Sequence, residues 1–273
     1  MARQELHCSG WSVDAGPSVR SVTSSNLRAR PHLPAPIAGE GTRPVIVIVG
    51  LTLEARIAFG PNAIVVCHDK VRGLPDLLHA AVAAGCAGII SFGLAGGLAP
   101  EYHAGDWVIA SGIIDRDQFI PTSALWTSRL LELVPYASYA PILGVDEPLV
   151  HAAHKSDLHT LSLAVATDNE SHIVARFARL YGLEFAALRV IIDPAHRCVP
   201  SSVLAGLCSD GSTDIGAILR HLLRRPRQSL DLLRLTTDYI VARSRLIEAR
   251  RLLGTHFGRA DHPQSSQPIA RDA

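Results

Sequence analysis

The sequence predicts an α/β fold, a three-layer sandwich around a central mixed, largely parallel sheet. Three observations carry this. Val45-Ile46-Val47-Ile48-Val49 is an unbroken β-branched run, as expected of a strand buried on both faces. Strand-length apolar runs then alternate with stretches of helical periodicity, which places helices on both faces of a sheet. Glycine-rich or polar segments follow three of the strands, and ligands bind at strand C-terminal ends in such sheets.

The elements follow in order. The run 45–49 ends at Gly50 and is a central strand. Residues 63–67 form a second strand. Residues 74–84 are helical, with apolar positions on one face and Gly85 as the stop. Ile89 to Phe92 is the next strand, and Gly93-Leu94-Ala95-Gly96-Gly97-Leu98 ends it as a glycine turn. Glycine lets backbone N–H groups approach a ligand, so such a turn suits phosphate, ribose or a base; it is equally common as plain structure. Gly105-Asp106 leads into a strand at 107–110. Residues 161–166 are expected to form a strand feeding Asn169-Glu170-Ser171-His172. Residues 171–180 form a helix closed by Gly182, and 185–192 a strand ending at Asp193-Pro194.

The chain of 273 residues is long enough for one large domain, expected at 44–258. Residues 1–43, rich in Ser, Pro, Gly and Arg, read as a disordered extension, and 259–273 as a flexible tail. An over-long gene start or an organelle transit peptide are the other readings of the N-terminal stretch, and Glu5, Asp14 and Glu40 weigh against the latter. It has no apolar segment of the kind a secretory signal needs. Formal net charge is +1, which gives no electrostatic case for a nucleic-acid partner. The five cysteines form no CxxC pair, which argues against a disulfide framework and for a reducing compartment. Apolar runs fall short of the ~18 residues of a membrane span. From about 213 to 258 the chain reads as basic helices divided at Pro226, with Arg220, Arg224, Arg225, Arg227, Arg234, Arg243, Arg245, Arg250 and Arg251 among leucines. A helix pair packed on the sheet is the plain reading. A surface resting on anionic lipid headgroups, a peripheral membrane contact, is the alternative. No His/Cys/Asp/Glu cluster has metal-ligand spacing, and no GxGxxG, GxxxxGK[ST] or GxSxG motif occurs, so no metal, dinucleotide, ATP or serine-hydrolase chemistry is expected.

Five segments resemble, in order, the purine nucleoside phosphorylase and methylthioadenosine/S-adenosylhomocysteine nucleosidase superfamily. They are Gly50-Leu51-Thr52-Leu53-Glu54-Ala55-Arg56, Gly93 to Leu98, Gly105-Asp106-Trp107-Val108, Asp168-Asn169-Glu170-Ser171 and Arg189-Val190-Ile191-Ile192-Asp193. The resemblance covers roughly 45–195 and implies a nucleoside phosphorylase-like fold. Gly50-Leu51-x-x-Glu54-Ala55-Arg56, Ser91-Phe92-Gly93, Glu170-Ser171-His172 and Ala187 to Ala195 resemble more narrowly the hopanoid-associated phosphorylase branch, thought to release adenine from adenosylhopane. That resemblance implies a small-molecule or lipid-linked nucleoside substrate, a cytoplasmic protein that meets it at the inner membrane face, and a homo-oligomer. It also implies inorganic phosphate as co-substrate, with no other cofactor.

Cleaving the bond from ribose to a purine needs a proton for the departing base, a hold on the ribose as it becomes cationic, and a nucleophile. Asp193, at a strand end among apolar neighbours, has the setting for a raised pKa. The resemblance makes it the acid that donates to purine N7; a helix N-cap is the plain alternative. Glu170, with Asn169 beside it, is implied as the ribose-binding carboxylate; a first-turn glutamate favoured by the helix dipole is its alternative. Asn169 stands where relatives usually have methionine. Glu54 is implied as the residue that polarises water in nucleosidases, and Arg56 as a phosphate contact in phosphorylases. Arg56 reads equally as a surface helix residue. Gly50, Gly93, Ala95 and Gly96 would supply backbone donors to the phosphate or nucleophile. The expected reaction is phosphorolysis of adenosylhopane. Hydrolysis of methylthioadenosine or S-adenosylhomocysteine is the alternative, and a catalytically silent nucleoside binder a third. Pro148 and Leu149 replace a segment in which nucleosidases carry a base-stacking phenylalanine. His172, His196 and Arg197 lie close to these motifs in sequence.

Overall fold

The computed structural model describes residues 43–67, 74–83, 85–198 and 229–259. The expected extension and tail lie almost wholly outside these residues, as do Pro226, Arg220, Arg224, Arg225 and Arg227. The order of elements is β1 (Val45–Val49), α1 (Thr52–Ala58), β2 (Ala63–Cys67), α2 (Leu74–Ala83), β3 (Gly88–Gly97), β4 (Trp107–Asp115) and β5 (Gln118–Pro121). There follow α3 (Ala124–Leu133), β6 (Ser138–Gly144), α4 (Ala152–Ser162), β7 (Ala166–Asp168), α5 (Ser171–Tyr181), β8 (Phe185–Asp193) and α6 (Ser229–Leu252).

Strand β1 shows why the fold has three layers. All five of its side chains are fully buried. Ile46 and Ile48 face a cluster containing Leu74 and Leu78 of α2 and Val174 and Phe177 of α5. Val45, Val47 and Val49 face the other way, toward Trp126 and Leu130 of α3 and Leu246 of α6. The alternation of side chains along a strand divides the two faces, and each helix layer covers one.

The sheet is mixed, in the order β2-β1-β3-β7-β6-β4-β5, with β8 bridging β3 and β4. The β1–β2, β1–β3, β3–β8, β4–β6 and β6–β7 pairs are parallel; β3–β7, β4–β5 and β4–β8 are antiparallel. Because β8 joins β3 to β4, the strands β3, β7, β6, β4 and β8 close into a ring. Register shifts at Ala95/Gly96 and between Ala110 and Ile113 accompany this closure. Irregularities of this kind bend a strand and let its two halves pair with different neighbours.

Two expectations are corrected. The glycine run does not turn away after Phe92: β3 continues to Gly97, with Gly93 opposite Arg189 and Leu94 opposite Val190. The parallel neighbour β8 supplies the ladder that keeps this stretch extended, and local composition carries no trace of it. Residues 161–166 are not a strand. Leu161 and Ser162 end α4, Leu163 caps it in the left-handed conformation, and only Ala166–Asp168 is extended. A short apolar run does not by itself separate strand from helix end. The His159 ring, with Nδ1 2.8 Å from the Ala164 carbonyl, ties down this turn.

The described part of the basic C-terminal segment, from Ser229 onward, packs on the sheet. Arg245 lies 3.6 Å over the Trp107 ring and Arg250 4.4 Å over Phe257, and Arg250 Nε donates to the Ala58 carbonyl. The indole N–H groups of Trp107 and Trp126 donate to the carbonyls of Arg245 and Phe257. Arg234, Arg243 and Arg251 are exposed. Among the described residues, no helix is long and apolar enough to cross a membrane.

Candidate active site

The site is built along the C-terminal half of β3. Glu54 comes from α1, directly after β1, and its side chain turns inward. It is 2 % exposed, and its carboxylate accepts three backbone N–H groups: Gly50 at 2.9 Å, Leu51 at 3.0 Å and Leu94 at 2.6 Å. The bond from Leu51 is one half of a capping box, so the same side chain starts α1 and reaches β3. Burial raises the Glu54 pKa to about 7; Arg189 opposes this and Glu170 adds to it.

Arg189 is the hub of this cluster. It projects from β8, is fully buried, and lies opposite Gly93. Its Nε is 2.6 Å from Asp168 and Nη2 3.3 Å from Glu170, and Nη2 donates to the hydroxyls of Ser91 and Ser171. Burial acts to lower its pKa, but Asp168, Glu170 and Glu54 outweigh that and hold it above the ordinary value. Asp168 also ties down the start of α5, accepting from the N–H groups of Glu170 and Ser171. The Glu170 side chain is thereby fixed beside Gly50, where an added Cβ would lie 2.6 Å from Glu170 Oε1. At Gly93 a Cβ would meet Glu54 at 2.6 Å and Arg189 Nη1 at 2.8 Å. These glycines make room for side chains.

Asp193 ends β8. It is buried, and its Oδ1 lies 3.2 Å from the position a Cβ on Gly96 would take. Its Oδ2 is held by the ammonium of Lys155, a fully buried side chain of α4. Burial raises the Asp193 pKa to about 6, against the opposing charge of Lys155.

The structure thus gathers Gly50, Glu54, Gly93 and Glu170 around Arg189, and sets Asp193 against Gly96 three residues further along β3. Ala95 is buried in β3 opposite Ile191. Asn169 Nδ2 donates to the Val145 carbonyl and so pins the loop after β6 beside the site. Arg56 stays outside. It is exposed, because two residues along a helix from inward-facing Glu54 a side chain points to the opposite side. His172 is buried with Nε2 3.2 Å from Asp146, His196 is exposed, and Arg197 pairs with Asp238 of α6 at 2.6 Å.

Sequence reasoning gave Arg189, Asp168 and Lys155 no role. A lone arginine inside the apolar run of β8 is a readable signal of a buried charge needing partners. Lys155 has none: it stands among polar neighbours in a helix whose few apolar residues mark no inward face, yet it is the buried residue of α4.

Comparison with known proteins agrees with this architecture. The 5′-methylthioadenosine/S-adenosylhomocysteine nucleosidase of Helicobacter pylori, solved with butyl-thio-DADMe-Immucillin-A, superposes with a TM-score of 0.55 at 15% identity, over 78% of this chain and 99% of that one. Futalosine hydrolase of the same organism gives 0.50 at 18% identity, over 56% of this chain and 88% of that one. At such identities the likeness is one of fold. A search of curated protein sequences gives no match. Residues 75–221, more than half of the chain, match the family model described as Phosphorylase superfamily, and the chain belongs to that superfamily.

Proposed function

We propose that this protein cleaves the N-glycosidic bond of a 5′-modified adenosine and releases adenine, with water as the nucleophile. The observation that carries the proposal is the convergence of three buried carboxyl groups, Glu54, Glu170 and Asp193, on one strand segment, with Arg189 between the first two. Asp193 donates its proton to the departing base while the bond between C1′ and the base nitrogen breaks. Glu170 accepts from the ribose hydroxyls and stabilises the cationic sugar. Glu54 takes a proton from the water that bonds to C1′. Asp193 must carry a proton and Glu54 must have lost one, a combination most populated between about 6 and about 7.

Water is favoured over phosphate because Glu54 already occupies the N–H groups of Gly50, Leu51 and Leu94, and because Arg56 is turned outward. Phosphorolysis of adenosylhopane is the second reading. It draws on the finer sequence resemblance and on the loop after β6, where Pro148 is exposed and Leu149 half-buried. With no phenylalanine in that loop, a bulky lipid nucleoside would have more room there. The exposed arginines of α6 are compatible with a peripheral membrane contact for such a substrate.

The test is to incubate the full chain with methylthioadenosine and with adenosylhopane, each with and without phosphate, and to follow adenine by chromatography. Release that needs no phosphate and disappears in Asp193→Asn supports the proposal. Release only with phosphate transfers it to phosphorolysis. Binding of adenosine without turnover of either substrate refutes both.

A further inference from the structure

Lys155 is an unexpected residue at this site. It stands on α4, 38 residues from Asp193 in sequence, with no exposed surface. Its ammonium donates to Asp193 Oδ2 and lies 3.3 Å from each of the backbone carbonyls of Asp193, Pro194 and Arg197. A buried ammonium is tolerated only when its hydrogens find acceptors, and these four fold the 193–197 segment around it. Arg197 then reaches Asp238 of α6, so the segment is fixed from both sides.

We propose that Lys155 is a positioning residue for the acid: it clamps Asp193 Oδ2 so that Oδ1, which faces Gly96, is the oxygen presented to the base. This rests on reading Asp193 as the acid at the departing base. The clamp has an electrostatic consequence. Facing Asp193 among the described residues are Lys155 and, further off, the Asp238 carboxylate, itself paired with Arg197; β3 and β7 contribute the uncharged Gly96 and Thr167. Asp168 is committed to Arg189. Lys155 is therefore the cation that restrains the proton affinity of Asp193, which burial drives upward.

The test uses two variants. Lys155→Gln keeps N–H donors for the carboxylate and carbonyls but removes the charge; Lys155→Arg keeps the charge. Carbon-13 titration of Asp193 in the unliganded protein, assigned with Asp193→Asn, reads the group directly. In Lys155→Gln the Asp193 titration should move up by about one pH unit or more, and the alkaline limb of kcat/KM should move with it. In Lys155→Arg both should stay at the wild-type position while kcat falls, because the longer side chain displaces Oδ1. A purely structural lysine would lower the yield of folded protein and move neither titration. An unmoved Asp193 in folded Lys155→Gln overturns the proposal, as does a moved one in Lys155→Arg. The titration needs no turnover. A failure to release adenine would therefore strike the function and leave the clamp separately decided.

Discussion

Replacing Glu54 by glutamine tests the site through stability as well as activity. Glu54 is held at about 7 against an ordinary 4.5, chiefly by burial. Its folded-state value is the higher one, so the protein takes up a proton on folding between those limits. The stability this gives is complete below about 4.5 and lost as pH rises through about 7. From pH 5 to pH 8 the wild type loses about 2.5 kcal/mol through this one group, at 1.36 kcal/mol per pH unit. Glu54→Gln has nothing to titrate there, so its stability should fall less steeply by that amount. The amide carries a separate cost. Its NH₂ must face either the Leu94 N–H or the pair from Gly50 and Leu51, and the better choice still leaves one buried donor unpaired, about 1–3 kcal/mol. The variant should therefore be less stable than wild type at pH 5 and draw level with it by pH 8. Urea unfolding at the two pH values, followed by tryptophan fluorescence from buried Trp107 and Trp126, measures this. Parallel loss of stability in the two proteins would refute the assignment of a buried, proton-binding Glu54. Adenine release by the folded variant should drop roughly 10²–10⁴-fold, the usual worth of a general base.

Two further changes probe the cluster. In Gly50→Ala the new methyl would stand 2.6 Å from Glu170 Oε1, so the carboxylate must swing aside. KM for the nucleoside should rise several-fold with little change in melting temperature, and an unchanged KM would show that Glu170 does not hold the ribose. Arg189→Met leaves Asp168, Glu170 and Glu54 facing one another without their cation; removing one partner of a buried ion pair costs about 3–5 kcal/mol. Chemical unfolding should show this loss growing from pH 5 to pH 8 as Glu54 ionises without its cation, and a pH-independent loss would argue against the network.

Much of the architecture was legible locally. The β-branched run of β1, the helix stop at Gly85 and the helix closed at Gly182 are written in consecutive residues, and the structure has them where they were expected. Periodicity reports which face of an element is buried, and in β1 it was enough to imply two helix layers. It failed at 161–166, where an apolar run turned out to be a helix end and its cap.

The sequence by itself thus determined the fold class, the order of the motifs, and which carboxylates lie at strand ends. Tertiary structure alone decided their partners. The glycines of β3 remain extended because β8 lies alongside, and they leave room for Glu54, Arg189 and Asp193 to approach. Arg56 faces away because α1 commits its inner face to Glu54. Lys155 meets Asp193 only once the fold brings α4 to the end of β8. The physical reason is common to all three. Burial pattern is a property of one element and repeats along it, whereas an ion pair or a backbone ladder belongs to two elements distant in sequence. Its strength comes from a shared, desolvated setting that exists only once both are packed.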